Sequence, residues 1–196
     1  MAAMQTDATA IARTLFTDVT RPPESSVLAT LARFGSGALS YAHRSNVCVA
    51  LLRDGELYRD ASQALARLGI DVDAWPAPPA GLFVVEERAL YLRSRSPMTV
   101  AHEFGHALDC ALGGGVYRSG VDPRVRTLFA SATAFVTPYA ATGLDEYFAE
   151  SLRAYVGVND SVSLWPRVTR ERLRRIDPAM HDYVDAIFRT EFRVAA

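Results

Sequence analysis

The residues of this chain best placed to do chemistry together are His102, Glu103 and His106, in the run His-Glu-Phe-Gly-His. The pattern is an H-E-x-x-H, and its chemistry follows from helix geometry. Side chains four apart stand on one face of a helix, so both imidazoles can reach a single Zn2+ at about 2.0–2.1 Å. Glu103 follows the first histidine and projects beside the metal, where a bound water would sit. A carboxylate there can take that water's proton. The flanking residues Val100, Ala101, Ala107 and Leu108 are apolar. Two histidines buried on such a face with nothing to bind would be a costly arrangement.

A catalytic zinc needs a third protein ligand and one open position. No histidine lies between positions 107 and 180, and His43 and His181 stand alone, so both read as structural or surface residues. The third ligand is therefore expected to be a carboxylate. Asp145, Glu146 and Glu150 fall in a later helical run, LDEYFAESLRAY. Glu146 and Glu150 are four apart and share a face. One could bind the metal while the other accepts the second N–H of a ligating histidine. The plain alternative is an acidic solvent face, but Tyr147, Phe148, Ala149, Leu152 and Tyr155 around them argue for burial. Tyr139 stands in a loop seven residues before Glu146. Spacing alone does not choose between a hydroxyl in the site and a half-buried loop tyrosine.

HEFGHALD, followed about 40 residues later by YAATGLDEYFAESLRAY, resembles the zinc peptidase domain of anthrax lethal factor and its relatives. The small secreted Pro-Pro endopeptidases of clostridia and bacilli are among those relatives. The resemblance covers about residues 81–192. It implies a zincin-like metallopeptidase with one zinc ion held by His102, His106 and Glu146. It further implies Glu103 as general base, Tyr139 assisting the transition state, and Glu150 supporting a zinc-bound histidine. Where the family carries a loop asparagine, this chain has Gly143. The long targeting domains of lethal factor have no counterpart in these residues, so its host-kinase specificity does not carry over.

The expected activity is zinc-dependent hydrolysis of a peptide or protein substrate by a metal-activated water. Two alternatives stay open. Two histidines and a carboxylate also make the facial triad of non-haem iron enzymes. A peptidase-like domain without activity could serve as a binding module.

The elements that must position these residues read as α+β. A helix is expected from Asp7, as its cap, to about Asp18, and a second from Glu24 or Ser25, stopped by Gly35 and Gly37. Asn46–Leu52 reads as a buried strand, Asp60–Leu68 as a short helix closed by Gly69, and 81–93 as two strand pieces around a tight turn. Ser96 is a good N-cap and Pro97 a good first helical residue. Beyond them helices are expected at about 97–112, 122–135, 143–157 and 166–192, the last broken at Asp177-Pro178. The glycines 113–115 read as a helix stop or a mobile rim. A substrate is expected to lie extended beside one strand of the 82–93 pair.

The 196 residues suit one zinc peptidase domain, with a strand-containing front part to about residue 95 and a helical metal-site part from about 96. All 21 basic residues are arginine, against 22 acidic ones, and 31 residues are alanine. Without lysine, Schiff-base and lysine-base chemistry are excluded. The net charge of −1 gives no reason to bind nucleic acid, and the run Arg167–Arg175 reads as a solvated helix face. Cys48 and Cys110 are expected to be free, packed thiols. No apolar run is long enough for a membrane span, and no partner but the substrate is expected, with a monomer as the state. The N-terminus lacks the pattern of a secretory signal. A cytoplasmic location is expected on that ground, with non-classical export or a trimmed signal as the alternatives.

Overall fold

The computed structural model describes residues 2–18 and 22–193. Three helices come first: α1 (Ala2–Thr14), α2 (Ser25–Ala32) and α3 (Gly35–Arg44). Then follow β1 (Cys48–Leu51), the short helices α4 (Tyr58–Ala61) and α5 (Gln63–Leu68), β2 (Gly81–Val84) and β3 (Ala89–Leu92). The histidine motif lies in α6 (Pro97–Leu112). Behind it come α7 (Arg118–Val121), α8 (Pro123–Ser131), α9 (Leu144–Val156), α10 (Arg170–Ile176) and α11 (Pro178–Thr190). The fold is α+β. Among the described residues the strands form one sheet of order β1-β3-β2, with β1 parallel and β2 antiparallel to β3. No helix there is long and apolar enough to cross a membrane.

Helix α6 forms where its sequence is best prepared for it. The Ser96 side chain accepts from the Thr99 N–H and Pro97 takes the first turn, where its missing donor costs nothing. The helix ends at Gly113, and Gly114 takes the left-handed conformation at φ 72° that glycine adopts freely. The strands β2 and β3 and helix α2 pack along α6, and so does α9. Phe104 of α6 meets Phe34 edge-on at 4.9 Å between ring centres. One apolar cluster runs from Ala8 in α1 to Phe192 beyond α11. A smaller one, with Leu52, Tyr58, Leu65, Val84 and Tyr91, covers the other face of the sheet.

Helix α6 comes close against α9 at Gly105. A Cβ there would lie 2.9 Å from Ala149 Cα and 3.0 Å from Ala149 O. His102 and His106 stand three before and one after Gly105, and Glu146 and Glu150 stand three before and one after Ala149. The contact therefore brings the two ionisable pairs opposite each other. Helix α9 is buried nearly all round, with Tyr147, Phe148, Ala149, Leu152 and Ala154 in the core, and Gly157 closes it at φ 69°.

Several elements depart from the sequence expectation. Helix α1 begins at Ala2, so Asp7 lies within it rather than capping it. It stops at Thr14 because the chain turns into the sheet: Val49 N–H donates to Leu15 O, and Phe16 bridges Val49. Gly35, at φ 82°, does mark the end of the α2 region, but Gly37 sits inside α3. Its Cβ would strike the Phe192 carbonyl at 1.6 Å, so this glycine serves a close approach rather than a break. The expected helix 60–68 is two, split at Ser62, whose hydroxyl caps α5. Helix α8 ends at Ser131, short of 135, and α10 starts only at Arg170.

A methyl group at position 105 should force α6 and α9 apart. Gly105→Ala is expected to lower stability by about 1–3 kcal/mol, the usual range for overpacking, and to lower metal content. Thermal unfolding and metal analysis of the purified variant would test this; wild-type values of both would mean the contact does not set the site.

Candidate metal centre and cleft

The Nε2 atoms of His102 and His106 are 3.1 Å apart. Glu146 Oε2 lies 3.0 Å from the first and 3.4 Å from the second. Three donors around a tetrahedral ion with bonds of about 2.0–2.1 Å would be about 3.3–3.4 Å apart, so the three atoms lie close enough together to hold one metal ion. Glu146 Oε2 is buried without a hydrogen-bond partner and faces the two Nε2 atoms. Lone pairs converging on one point need a positive charge between them. Burial pulls His102 down, but Glu146, Glu150 and the Glu103 charge outweigh it and hold the imidazole up at about 10. Burial likewise opposes ionisation of Glu146, and the two histidines overcome it and keep its carboxyl low.

Glu150 takes the other role expected on α9. Its Oε1 accepts from His102 Nδ1 at 2.9 Å, which turns the Nε2 lone pair toward the ligand cluster. Arg153 donates to both oxygens of Glu150 at 2.8 Å, and Thr137 Oγ1 donates at 2.7 Å. Burial pushes the Glu150 carboxyl up, but His102 and Arg153 bring it down to about 2. Arg153 is itself almost fully buried and also donates to Val158 O at 3.1 Å. Sequence reasoning missed Arg153 and Thr137. The signal was an arginine three residues after Glu150 amid apolar neighbours.

Glu103 sits beside the ligand cluster on the next position of α6. Burial raises its carboxyl above the usual range, against the pull of His102 and His106 and of the Phe83 backbone N–H, which donates to it. Phe83 lies on β2, the outer strand. Ala80 O accepts from Arg93 N at 3.1 Å. Alternation from that pair turns the main-chain groups of Gly81 and Phe83 away from β3 and into the cleft. Gly81 is required there: its Cβ would stand 2.6 Å from Glu103 Cγ. The Tyr139 hydroxyl donates to Glu146 Oε1 at 2.9 Å, and its ring lies 5.4 Å from that of His102. Of the two readings spacing left open, the structure therefore has Tyr139 at the site.

These groups form the floor of a cleft of about 450 Å3, also lined by Trp75, Leu82, Met98, Tyr117, Asp145 and Trp165. Tyr117 stands with its ring 5.7 Å from His106. The glycines 113–115 behave as a helix stop. Behind them buried Asp109, at the end of α6, accepts from Ser119 N at 2.8 Å and Ser119 Oγ at 2.5 Å. Gly143 precedes α9 in an extended conformation and provides no side-chain cap. His43 is exposed, 3.3 Å from Thr14 Oγ1, and His181 packs near Tyr155; neither lines the cleft. Cys48 and Cys110 are free. In the Arg167–Arg175 run, Arg167, Arg170, Arg174 and Arg175 face solvent.

No protein-family model matches the chain, and no curated protein does. Among solved structures, the Pro-Pro endopeptidase PPEP-2 from Paenibacillus alvei superposes with a TM-score of 0.62. The identity is 19%, over 91% of this chain and 100% of that one. At that identity the likeness establishes a shared fold.

Burial raises Asp109 to about 6, although its bonds to Ser119 work against this. A raised carboxyl favours the folded state when protonated, so its contribution is complete below about 4, the unfolded value, and fades as pH rises through about 6. Asp109→Asn keeps an acceptor for the Ser119 N–H without the charge. In metal-stripped protein, the melting temperature of Asp109→Asn relative to wild type should climb between pH 4 and 6; a constant difference would contradict this.

Proposed function

We propose that the chain is a zinc-dependent endopeptidase and that residues 1–196 act as one peptidase domain. The observation that carries this reading is the convergence of His102, His106 and Glu146 on one point, with ligand atoms that all lie within 4.8 Å. Glu103 stands beside that point and the Tyr139 hydroxyl faces it. Zinc held by the three residues would supply Lewis acidity and lower the pKa of a bound water to about 7.

The protein's own groups divide the remaining work. Glu103, its carboxyl raised by burial, takes the proton of the attacking water and delivers it to the leaving amine nitrogen. The Phe83 N–H fixes the carboxylate on the β2 side of the cleft. Tyr139 turns its hydroxyl from Glu146 Oε1 to the developing oxyanion. Loss of one such donor typically costs about 3–4 kcal/mol. Glu150 and Arg153 keep His102 in the tautomer that presents Nε2. An extended peptide adds to the free edge of β2, pairing with the outward groups of Gly81 and Phe83. A facial-triad oxygenase has no use for Glu103 and Tyr139 in these positions, which favours hydrolysis over the iron alternative. The fold shared with a Pro-Pro endopeptidase supports the same reading.

Cleavage of a diverse peptide library, read by mass spectrometry, is the direct test. Glu103→Ala should keep its zinc and lose hydrolysis, and His106→Ala should lose both. Tyr139→Phe should lower turnover by about 100-fold with little change in metal content. Full activity in Glu103→Ala would remove the assigned base, and wild-type turnover in Tyr139→Phe would reduce that residue to packing.

A further inference from the structure

The loop between α9 and α10 has a rigid base and an apolar tip. Asn159 bridges its ends, accepting from Val168 N at 2.8 Å and donating to Val168 O at 2.7 Å. Asp160 accepts from Ser96 Oγ at 2.7 Å and from Met98 N at 2.9 Å, which fastens the loop to the first turn of α6. Residues 161–167 are all exposed, and among them stand Val162, Leu164 and Trp165. Single exposed apolar side chains are ordinary, but three within four residues on an anchored loop make a patch.

The patch joins the cleft. Trp165 lines it, as do Trp75 and Leu82 from the β2 side and Met98 from α6. These are the two tryptophans of the whole chain, and they remain 53% and 44% exposed at positions 75 and 165. The Trp165 ring lies 6.4 Å from that of Tyr139, whose hydroxyl touches ligand Glu146. Two residues of extended chain span about 6.6 Å. A peptide paired with β2 and aligned on the metal would thus bring a side chain within one or two residues of the attacked bond to Trp165. Large aromatic anchors with little entropy to lose are what such contacts use.

We infer that Trp165 is a substrate-contact residue that, with Trp75, walls a subsite for a bulky apolar side chain of an extended peptide lying along β2. The inference rests on the peptidase reading of the site and deepens it.

The two tryptophans also provide a probe that does not depend on turnover. In the full chain carrying Glu103→Ala and Trp75→Phe, with added Zn2+, Trp165 is the sole tryptophan. Titration with a blocked alanine hexapeptide holding one central leucine should give a saturable, blue-shifted emission. The same peptide with serine there should bind about tenfold more weakly. On the Glu103 background, Trp165→Ala should raise KM about tenfold for the leucine peptide, the scale of one anchor, with Trp165→Phe retaining most of the affinity. An unchanged KM in a folded Trp165→Ala or Trp165→Leu variant, or an emission indifferent to peptide, would overturn the subsite. Hydrolysis with an unchanged KM sinks only the subsite. Binding seen by Trp165 without hydrolysis by the parent chain sinks only the peptidase reading.

Discussion

The site depends on how closely two helices can approach. Neither α6 nor α9 holds a complete ligand set, and the sheet holds none of it. The set exists because Gly105 has no side chain and lets the Ala149 backbone come to contact distance. From that point, matched offsets along each helix bring His102 and His106 against Glu146 and Glu150. The remaining architecture can be read as fixing this contact. The front helices and the sheet pack along α6, and α10 and α11 pack on α9. The outer strand β2 then lines the cleft.

The buried charges are arranged in two tiers. The inner tier, His102, His106 and Glu146, leaves lone pairs facing inward and suits a cation. The outer tier is already neutralised: Glu150 and Arg153 form a pair three residues apart on one helix, completed by Thr137. A buried ion pair is weak evidence for stability in itself, because desolvation offsets attraction. Its use here is directional, since the carboxylate that satisfies Arg153 also fixes the His102 ring.

Much of this was legible in the chain. The cap and the proline at Ser96-Pro97, the spacing of the motif and the paired acids of α9 each carry local geometry, and the structure follows them. What was not legible was set by distant partners. Gly37 reads as a helix breaker because nothing nearby reveals that Phe192 will pass over it. Thr137 looks like a loop residue until Glu150 lies above it. Helix α1 ends early because Phe16 finds Val49, more than thirty residues on. Trp75 and Trp165 stand in loops ninety residues apart, with no periodic pattern to link them. Tyr139 was ambiguous because a spacing of seven from Glu146 does not say which way a loop points.

The motif helix is fastened at both ends by a carboxylate, one from outside its first turn and one of its own in its last turn. Asp160 holds Ser96 and the Met98 N–H at one end, and Asp109 holds Ser119 of α7 at the other. With side chains, a helix has a radius of about 5–6 Å. A roll of about 10° about its axis would therefore swing an imidazole nitrogen sideways by about 1 Å, roughly twice the tolerance of a productive site. Neither tether is hydrogen-bonded to His102, His106 or Glu146. They act as torsional stops, setting the azimuth at which the histidines face α9.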